Sequence, residues 1–487
     1  MLKKAFTSNY ALVAVLGLLV IARFLLLDFY PLMDTTEARY AEIARKMLEL
    51  NDWVTPWFDY NVPFWGKPPL SFWVTAISFK WFGISELNAR LPHFLAGLFI
   101  LWWVWRWTRK HSSELAVSAT IILATSLLFT ASSGLVMTDM WLLLGVVMAM
   151  TAFWDTVIAP EQANLYSSWW FFLGLVIGLL SKGPVVLVFV GVPIFVWVLW
   201  QKAWWPVWQK IPWVKGGILT LLLALPWFVM AEIKTPGFLE YFILGEHVYR
   251  FVIPGWEGDL YGTAHEHPKG AIWGMLWIGL LPWSILVPML GVWLWLKKSG
   301  RGLNLNDNIV FLLLWGLTPV VFFSFAGNIL WPYVLPGLPA LAVLIGLWLN
   351  QQDVQKKFWL LLASLMSLTI ILGVSVVLML GDKTEKKSQK SLIHYYQSLQ
   401  PDRVLSTPNP VLYYLEKRPF SASFYSQGKA LRADSIAQVI MTKHAQPVYI
   451  AMQPSMFKNL SMKQRNQLEH LKDFVGYQLF RVLDQPL

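Results

Sequence analysis

The chain has 487 residues, 56% of them hydrophobic and 14% charged, and apolar runs close to a membrane thickness recur from Ala11 to Leu380, far more than a soluble core needs. Its formal charge of +11 is spread over short loops rather than gathered into a stripe, which sets nucleic-acid binding aside and matches what helix orientation in a bilayer requires. The absence of cysteine excludes a disulfide framework and any thiolate nucleophile.

Met1 to Tyr10 carries Lys3 and Lys4, and the apolar run Ala11 to Leu27 has no small-residue cleavage site before Asp28, so it reads as a retained first span. With this start on the cytoplasmic side, residues 28–67 lie outside. Counting 68–82 as a span would then put Arg106, Arg109 and Lys110 outside as well. Taking 68–82 as a short helix in the outer interface moves that cluster inside, and the later basic loops follow. The spans are expected at 10–27, 90–108, 114–133, 139–158, 168–181, 183–200, 213–231, 271–296, 308–326, 330–349 and 357–380. Ser167 to Trp200 is divided at Ser181-Lys182-Gly183-Pro184, because a lysine in mid-bilayer costs roughly 3 kcal/mol and Gly-Pro breaks a helix. The expected fold is an all-α polytopic membrane protein of 11–13 spans. Residues 1–380 form its transmembrane domain, with outer loops 28–89 and 232–270, and 381–487 form a small α/β domain outside the membrane.

This topology gathers the chemical side chains on the outer face: Asp34, Glu37, Arg39, Tyr40, Lys67, Asp139, Lys182, Glu246, His247, Arg250, the triplet His265 to His267, and Asn328. Such a set suits departure of a lipid phosphate and attack by a hydroxyl. Cations at Arg39, Lys67, Lys182 and Arg250 would stabilise the phosphate in a low-dielectric site, and Asp34, Glu37 or Asp139 would take the acceptor proton. Structural roles compete for several of these residues. Asp34 and Glu37 match an N-cap and its capping-box partner ahead of a helix over 35–50, whose Tyr40, Ile43, Met47 and Leu50 share one face as in an interfacial helix. Lys67 suits snorkelling to the headgroups, and Asp139 suits a helix N-terminus. The His265-Glu266-His267 triplet is a weak metal motif, and no cofactor is assigned.

The runs Met33-Asp34-Thr35-Thr36-Glu37-Ala38-Arg39-Tyr40-Ala41-Glu42 and Gly66-Lys67-Pro68-Pro69-Leu70 resemble the opening of bacterial glycosyltransferase C enzymes of the lipid A aminoarabinose transferase and protein-mannosyltransferase type. Ala89-Arg90-Leu91-Pro92, Thr138-Asp139-Met140, Ser181-Lys182-Gly183-Pro184, Glu246-His247-Val248-Tyr249-Arg250-Phe251, Leu281-Pro282-Trp283 and Tyr333-Val334-Leu335-Pro336 continue the series through about residue 340. The resemblance implies an inner-membrane enzyme with a periplasmic site, moving a sugar with inversion from undecaprenyl or a similar polyprenyl phosphate to lipid A, lipopolysaccharide, another glycan or a protein. It also implies an essential acid in the first outer loop, phosphate contacts from Lys67 and the nearby Arg, and a short juxtamembrane helix. Three positions depart from the family pattern. Thr36 stands where the family has Asp, Gly66 replaces an acid before Lys67, and Gly327-Asn328-Ile329 lacks a lysine. The alternative reading, a lipid-linked sugar flippase, predicts polar groups on both faces and across the bilayer depth.

Overall fold

The computed structural model describes residues 9–262, 265–288, 291–292, 307–351, 356–380, 382–399, 410–441 and 446–483. In lipid a backbone must satisfy its own hydrogen bonds, so uncharged runs rich in Leu, Val and Trp become helices. Among the described residues five are long and apolar enough to cross a membrane: Glu86–Arg109, Asp139–Ile158, Trp213–Lys234, Trp331–Asn350 and Lys357–Met379. Five shorter apolar helices accompany them: Leu12–Leu25, Ser113–Thr125, Ser167–Lys182, Val185–Gln201 and Asn308–Phe323. The expected span 271–296 begins as the helix Ala271–Gly279 and tightens into a 3-10 turn at Trp283–Leu286, and its end lies partly outside the described residues. The 68–82 segment forms the helix Leu70–Phe82, which is not among these ten apolar helices and buries Phe72 and Phe79 in one cluster with Tyr40, Ile43 and Met47 of the first outer loop.

Asp139–Ile158 runs through the middle of the bundle, with 83% of its apolar window buried, whereas Trp213–Lys234 and Lys357–Met379 are 28% buried and leave apolar faces for lipid. The helix Ser167–Lys182 lies antiparallel against it through glycines. A Cβ on Gly145 would fall 2.5 Å from the Gly174 carbonyl oxygen and 2.8 Å from the Gly178 nitrogen. Small residues let two backbones touch where no hydrophobic force drives helices together. The contact sets the C-terminal end of one helix, Lys182, beside the N-terminal end of the other, Asp139. Ser167–Lys182 ends at Gly183, whose positive φ of 83° suits glycine, and Val185–Gln201 begins directly after Pro184. This is the break expected between the two segments.

The first outer loop folds into the helix Thr36–Glu49, the hairpin β1 (Trp57–Asp59) and β2 (Val62–Pro63), and the helix Leu70–Phe82. Two expectations for it need correction. Thr35, without a side-chain cap bond, precedes the helix, so Asp34 and Glu37 form no capping box. Nor does the helix lie with one face in lipid. Tyr40, Ile43 and Met47 are buried with Phe72, Phe79 and Phe424, while Leu50 is exposed. The opposite side is buried as well, because Arg45 pairs with Glu42 at 2.6 Å and Lys46 reaches Asp59 at 3.5 Å, so the helix is enclosed rather than interfacial.

What encloses it is the C-terminal region, a mixed sheet in the order β4-β3-β5-β7-β6 with short helices around it. Its strands are β3 (Val411–Leu415), β4 (Leu431–Ala433), β5 (Val448–Met452), β6 (Leu468–Phe474) and β7 (Tyr477–Val482). β3 runs parallel to β4 and β5, whereas β7 is antiparallel to β5 and β6. Docking is polar. Asp34 accepts from the Ser421 amide at 3.1 Å and from the Ser421 hydroxyl, Glu42 accepts from Ser423 at 2.7 Å, Lys390 pairs with Glu86 at 2.5 Å and Arg418 with Asp59 at 2.6 Å.

Glu37 ties the loop to the bundle. Arg90, fully buried near the start of Glu86–Arg109, grips both Glu37 carboxylate oxygens at 2.8 and 2.9 Å. It also donates to the carbonyls of Leu27, Tyr30 and Pro31, so one guanidinium holds the first span's exit against the second. Replacing Glu37 with Gln leaves that guanidinium uncompensated and should cost about 3 kcal/mol or more, seen as a lowered thermal midpoint of the detergent-solubilised protein.

Burial raises the Asp34 pKa to about 6 from 3.8, although the Ser421 hydrogen bonds pull it down. A carboxyl whose pKa rises on docking favours the docked state fully below 3.8 and loses that contribution as pH climbs through about 6. Hydrogen-exchange protection of 420–425 should therefore strengthen between pH 7 and pH 5, and Asp34→Asn should flatten that dependence.

Candidate active site

Lys67 leaves β2 on the rigid Gly66-Lys67-Pro68-Pro69 turn and points its ammonium at Glu246, 2.7 Å away, while also donating to the Gly66 carbonyl. Glu246 lies on the wide helical turn Tyr241–Tyr249, one helical turn before Arg250, whose guanidinium approaches it at 3.2 Å and Asp259 at 3.5 Å. Burial would raise the Glu246 pKa, yet the charges of Lys67 and Arg250 outweigh it and hold the carboxyl below its ordinary range. His247 stands 3.2 Å from the Lys182 carbonyl oxygen and 2.7 Å from that of Phe242. Burial lowers its pKa, against the opposing pull of those two carbonyls. Lys182 pairs with Asp139 and lies 4.6 Å from the Tyr333 ring centre.

These groups border one pocket with about 870 Å³ of free space, open mouth included. Its lining combines the charged side chains of Lys67, Lys182, Glu246 and Arg250 with the apolar ones of Val185, Val188, Phe189, Phe251, Phe322 and Phe323. Asn328 also lines it, and its amide donates to the carbonyls of Arg250 and Ile253 at 2.8 and 2.9 Å, which fixes the end of the turn that carries Arg250.

The candidate residues thus divide into groups. Lys67, Lys182, Glu246, His247 and Arg250 line the pocket. Asp139 reaches it through Lys182, and Tyr40, buried beside it, feels the charges of Arg39, Asp139, Glu246 and Lys182. Arg39 donates to the Tyr261 carbonyl at 2.5 Å and stacks near Tyr40 and Phe64, with its Nε buried and unpartnered. Glu37 is engaged by Arg90 and Asp34 by Ser421, and neither lines the pocket. His265, Glu266 and His267 are exposed, and Glu266 forms a backbone bridge with Asn328. Among the described residues no three His, Asp or Glu side chains are grouped to hold a metal.

Sequence reasoning missed Tyr333 and Asp259 as site residues. Tyr333 stood inside the quoted Tyr-Val-Leu-Pro run, but among so many aromatics nothing marked its ring as a wall. Asp259 lies in an acidic loop with no periodic signal.

A family model described as dolichyl-phosphate-mannose-protein mannosyltransferase matches residues 5–242. The undecaprenyl phosphate-alpha-4-amino-4-deoxy-L-arabinose arabinosyl transferase of Enterobacter sp. (strain 638) is 30% identical over 345 residues, which is 70% of this chain and 59% of the relative. Its namesake from Aeromonas hydrophila is 29% identical, covering 68% of this chain and 58% of the relative. The chain therefore spans under two thirds of the length of these curated relatives. The crystal structure of ArnT from Cupriavidus metallidurans bound to undecaprenyl phosphate shares the fold with a TM-score of 0.77 at 18% identity, over 96% of this chain and 97% of that one. The archaeal oligosaccharyltransferase AglB from Archaeoglobus fulgidus is more distant, with a TM-score of 0.51 at 11% identity, over 92% and 70%. With its ordered outer-face motifs and its helical bundle under a small sheet domain, the chain belongs to the glycosyltransferase C superfamily, in the family of the lipid A aminoarabinose transferases and their protein-mannosyltransferase relatives.

Proposed function

We propose that the protein is an inverting glycosyltransferase that takes a monosaccharide from a polyprenyl phosphate and passes it to an acceptor in the cell envelope. The observation that carries this reading is the mixed lining of the pocket, which joins Lys67, Lys182 and Arg250 to aliphatic and phenyl side chains. A polyprenyl phosphate sugar combines the same two chemistries, an anionic head on an isoprenoid chain. The names of the curated relatives, which specify undecaprenyl phosphate-alpha-4-amino-4-deoxy-L-arabinose, support an aminopentose as the sugar, and lipid A is the acceptor we place first for test.

In the reaction, an acceptor hydroxyl oxygen attacks the anomeric carbon, the bond from that carbon to the phosphate oxygen breaks, and the polyprenyl phosphate leaves with the bonding pair. Its added charge develops beside the three cations, in a site where water screens little. The hydroxyl proton passes to a carboxylate. We assign that role to Asp139 in preference to Asp34 and Glu37, since those two are engaged by Ser421 and Arg90. As a phosphate draws Lys182 toward itself, the Asp139 carboxylate is released to accept the proton.

Orientation and domain limits belong to the same proposal. The ten apolar helices found among the described residues and the partly described 271–296 segment support eleven spans, and the basic loops that this count leaves on one side support an outward-facing site, which we place on the periplasmic face of a bacterial inner membrane. The separate apolar clusters of the bundle and of the sheet support a division near residue 380.

Reconstituted protein supplied with undecaprenyl phosphate aminoarabinose should modify lipid A, and absence of transfer across a panel of polyprenyl-phosphate sugars and envelope acceptors would overturn the reading. Asp139→Asn should lower kcat by about a hundredfold or more with little change in KM. Lys67→Gln and Arg250→Gln should raise the donor KM by about tenfold or more. If Asp34→Asn abolished turnover while Asp139→Asn kept it, the base would be Asp34.

A further inference from the structure

A fully buried histidine outside the pocket joins the helices behind two of its charged groups. His93 lies in Glu86–Arg109, one turn after the Arg90 that holds Glu37. Its Nδ1 faces the Trp141 indole nitrogen at 3.3 Å, and its Nε2 faces the Thr75 hydroxyl at 3.2 Å. The neighbours set the direction of both contacts. An indole N–H can only donate, so Nδ1 is the acceptor. The Thr75 hydroxyl gives its own proton to the Ser71 carbonyl at 2.9 Å, so Nε2 is the donor to Thr75. A single tautomer, protonated on Nε2, serves both ends.

The ends of this chain of hydrogen bonds stand close in sequence to the pocket. Trp141 is the third residue of the helix that opens at Asp139, and the Met137 carbonyl, on the other side of Asp139, is a further acceptor beside the His93 ring. Ser71 and Thr75 belong to the first turns of Leu70–Phe82, which follows Lys67 directly after Pro68-Pro69. Aliphatic and aromatic side chains fill most of the bundle core, and they pack without prescribing a direction. An imidazole with a bond at each end does prescribe one: it fixes how the Asp139 helix is turned and advanced relative to the helix behind Lys67.

We infer that His93 is a positioning residue for the proposed transfer, holding the first turn of the Asp139 helix in register with the helix that follows Lys67. The inference rests on the roles given above to Asp139 and Lys67. His93 itself touches neither donor nor acceptor. It acts through Trp141 and Thr75, and a small turn of the Asp139 helix moves the carboxylate away from the attacking hydroxyl, where a misplacement of about 1 Å can cost a hundredfold in rate.

Steady-state kinetics of the reconstituted full-length protein with undecaprenyl phosphate aminoarabinose and lipid A test this, beside the indole ¹⁵N–¹H resonance of Trp141, identified by its loss in Trp141→Phe. His93→Phe should lower kcat by about tenfold or more, leave the donor KM within about twofold, and shift the Trp141 resonance. His93→Gln, whose amide can accept from Trp141 and donate to Thr75, should restore most of kcat. Trp141→Phe and Thr75→Val should each lower kcat, and their effects should not add to that of His93→Phe. Those two variants carry the test if His93→Phe does not fold. A lowered thermal midpoint with kcat unchanged would make His93 a packing residue and overturn the inference, as would additive losses or a Trp141 resonance indifferent to His93→Phe. Absence of transfer by the unsubstituted protein would instead overturn the reaction itself, and the role in turnover with it.

Discussion

A charge taken out of water must be neutralised where it sits, and in this protein that constraint governs the arrangement of the pocket. Each cation facing the phosphate region stands beside a carboxylate: Lys67 beside Glu246, Lys182 beside Asp139, and Arg250 beside Glu246 and Asp259. The charges around the pocket are therefore balanced among the protein's own side chains. In the proposed reaction an arriving phosphate would compete with the carboxylates for cations that are already in position, so little reorganisation would accompany binding. In that proposal the same pairing would link proton acceptance to donor binding, since a Lys182 drawn toward phosphate would leave Asp139 unpaired.

The pairs in turn rest on backbone packing. Asp139 and Lys182 terminate two antiparallel helices whose separation is fixed by Gly145, Gly174 and Gly178, with no long side chain between them to adjust. Glu246 and Arg250 are carried by a wide helical turn whose end is held by Asn328, and Lys67 by a turn with two prolines. The first outer loop is fastened from below by Arg90 and Glu37 and from above by the sheet domain through Asp34, Glu42, Asp59 and Glu86.

Features set by local chemistry were legible in the sequence. Apolar length marked the helices, the charge of Arg106, Arg109 and Lys110 marked Leu70–Phe82 as something shorter than a span, and Lys182-Gly183-Pro184 marked the break between two helices. The pocket cations were legible too, because a lysine or arginine in such surroundings has few structural uses. Partnerships across long separations were not. Asp34 and Glu37 sit where a capping box would, and the sequence near them cannot reveal that Ser421 and Arg90 claim their carboxylates from 387 and 53 residues away. Nor does an amphipathic helix announce whether lipid or another domain covers it, which is why Thr36–Glu49 looked interfacial.

The pocket draws its walls from residues near 67, 182, 246 and 333, so four stretches of chain that enter the membrane at different times must all be in place before a phosphate can be gripped. A partly inserted chain would hold scattered cations and no shared electrostatic well. On the proposed reading, capture of a lipid-linked donor would emerge only once the segment carrying Tyr333 is in place, and a truncated chain would hold cations without a shared site.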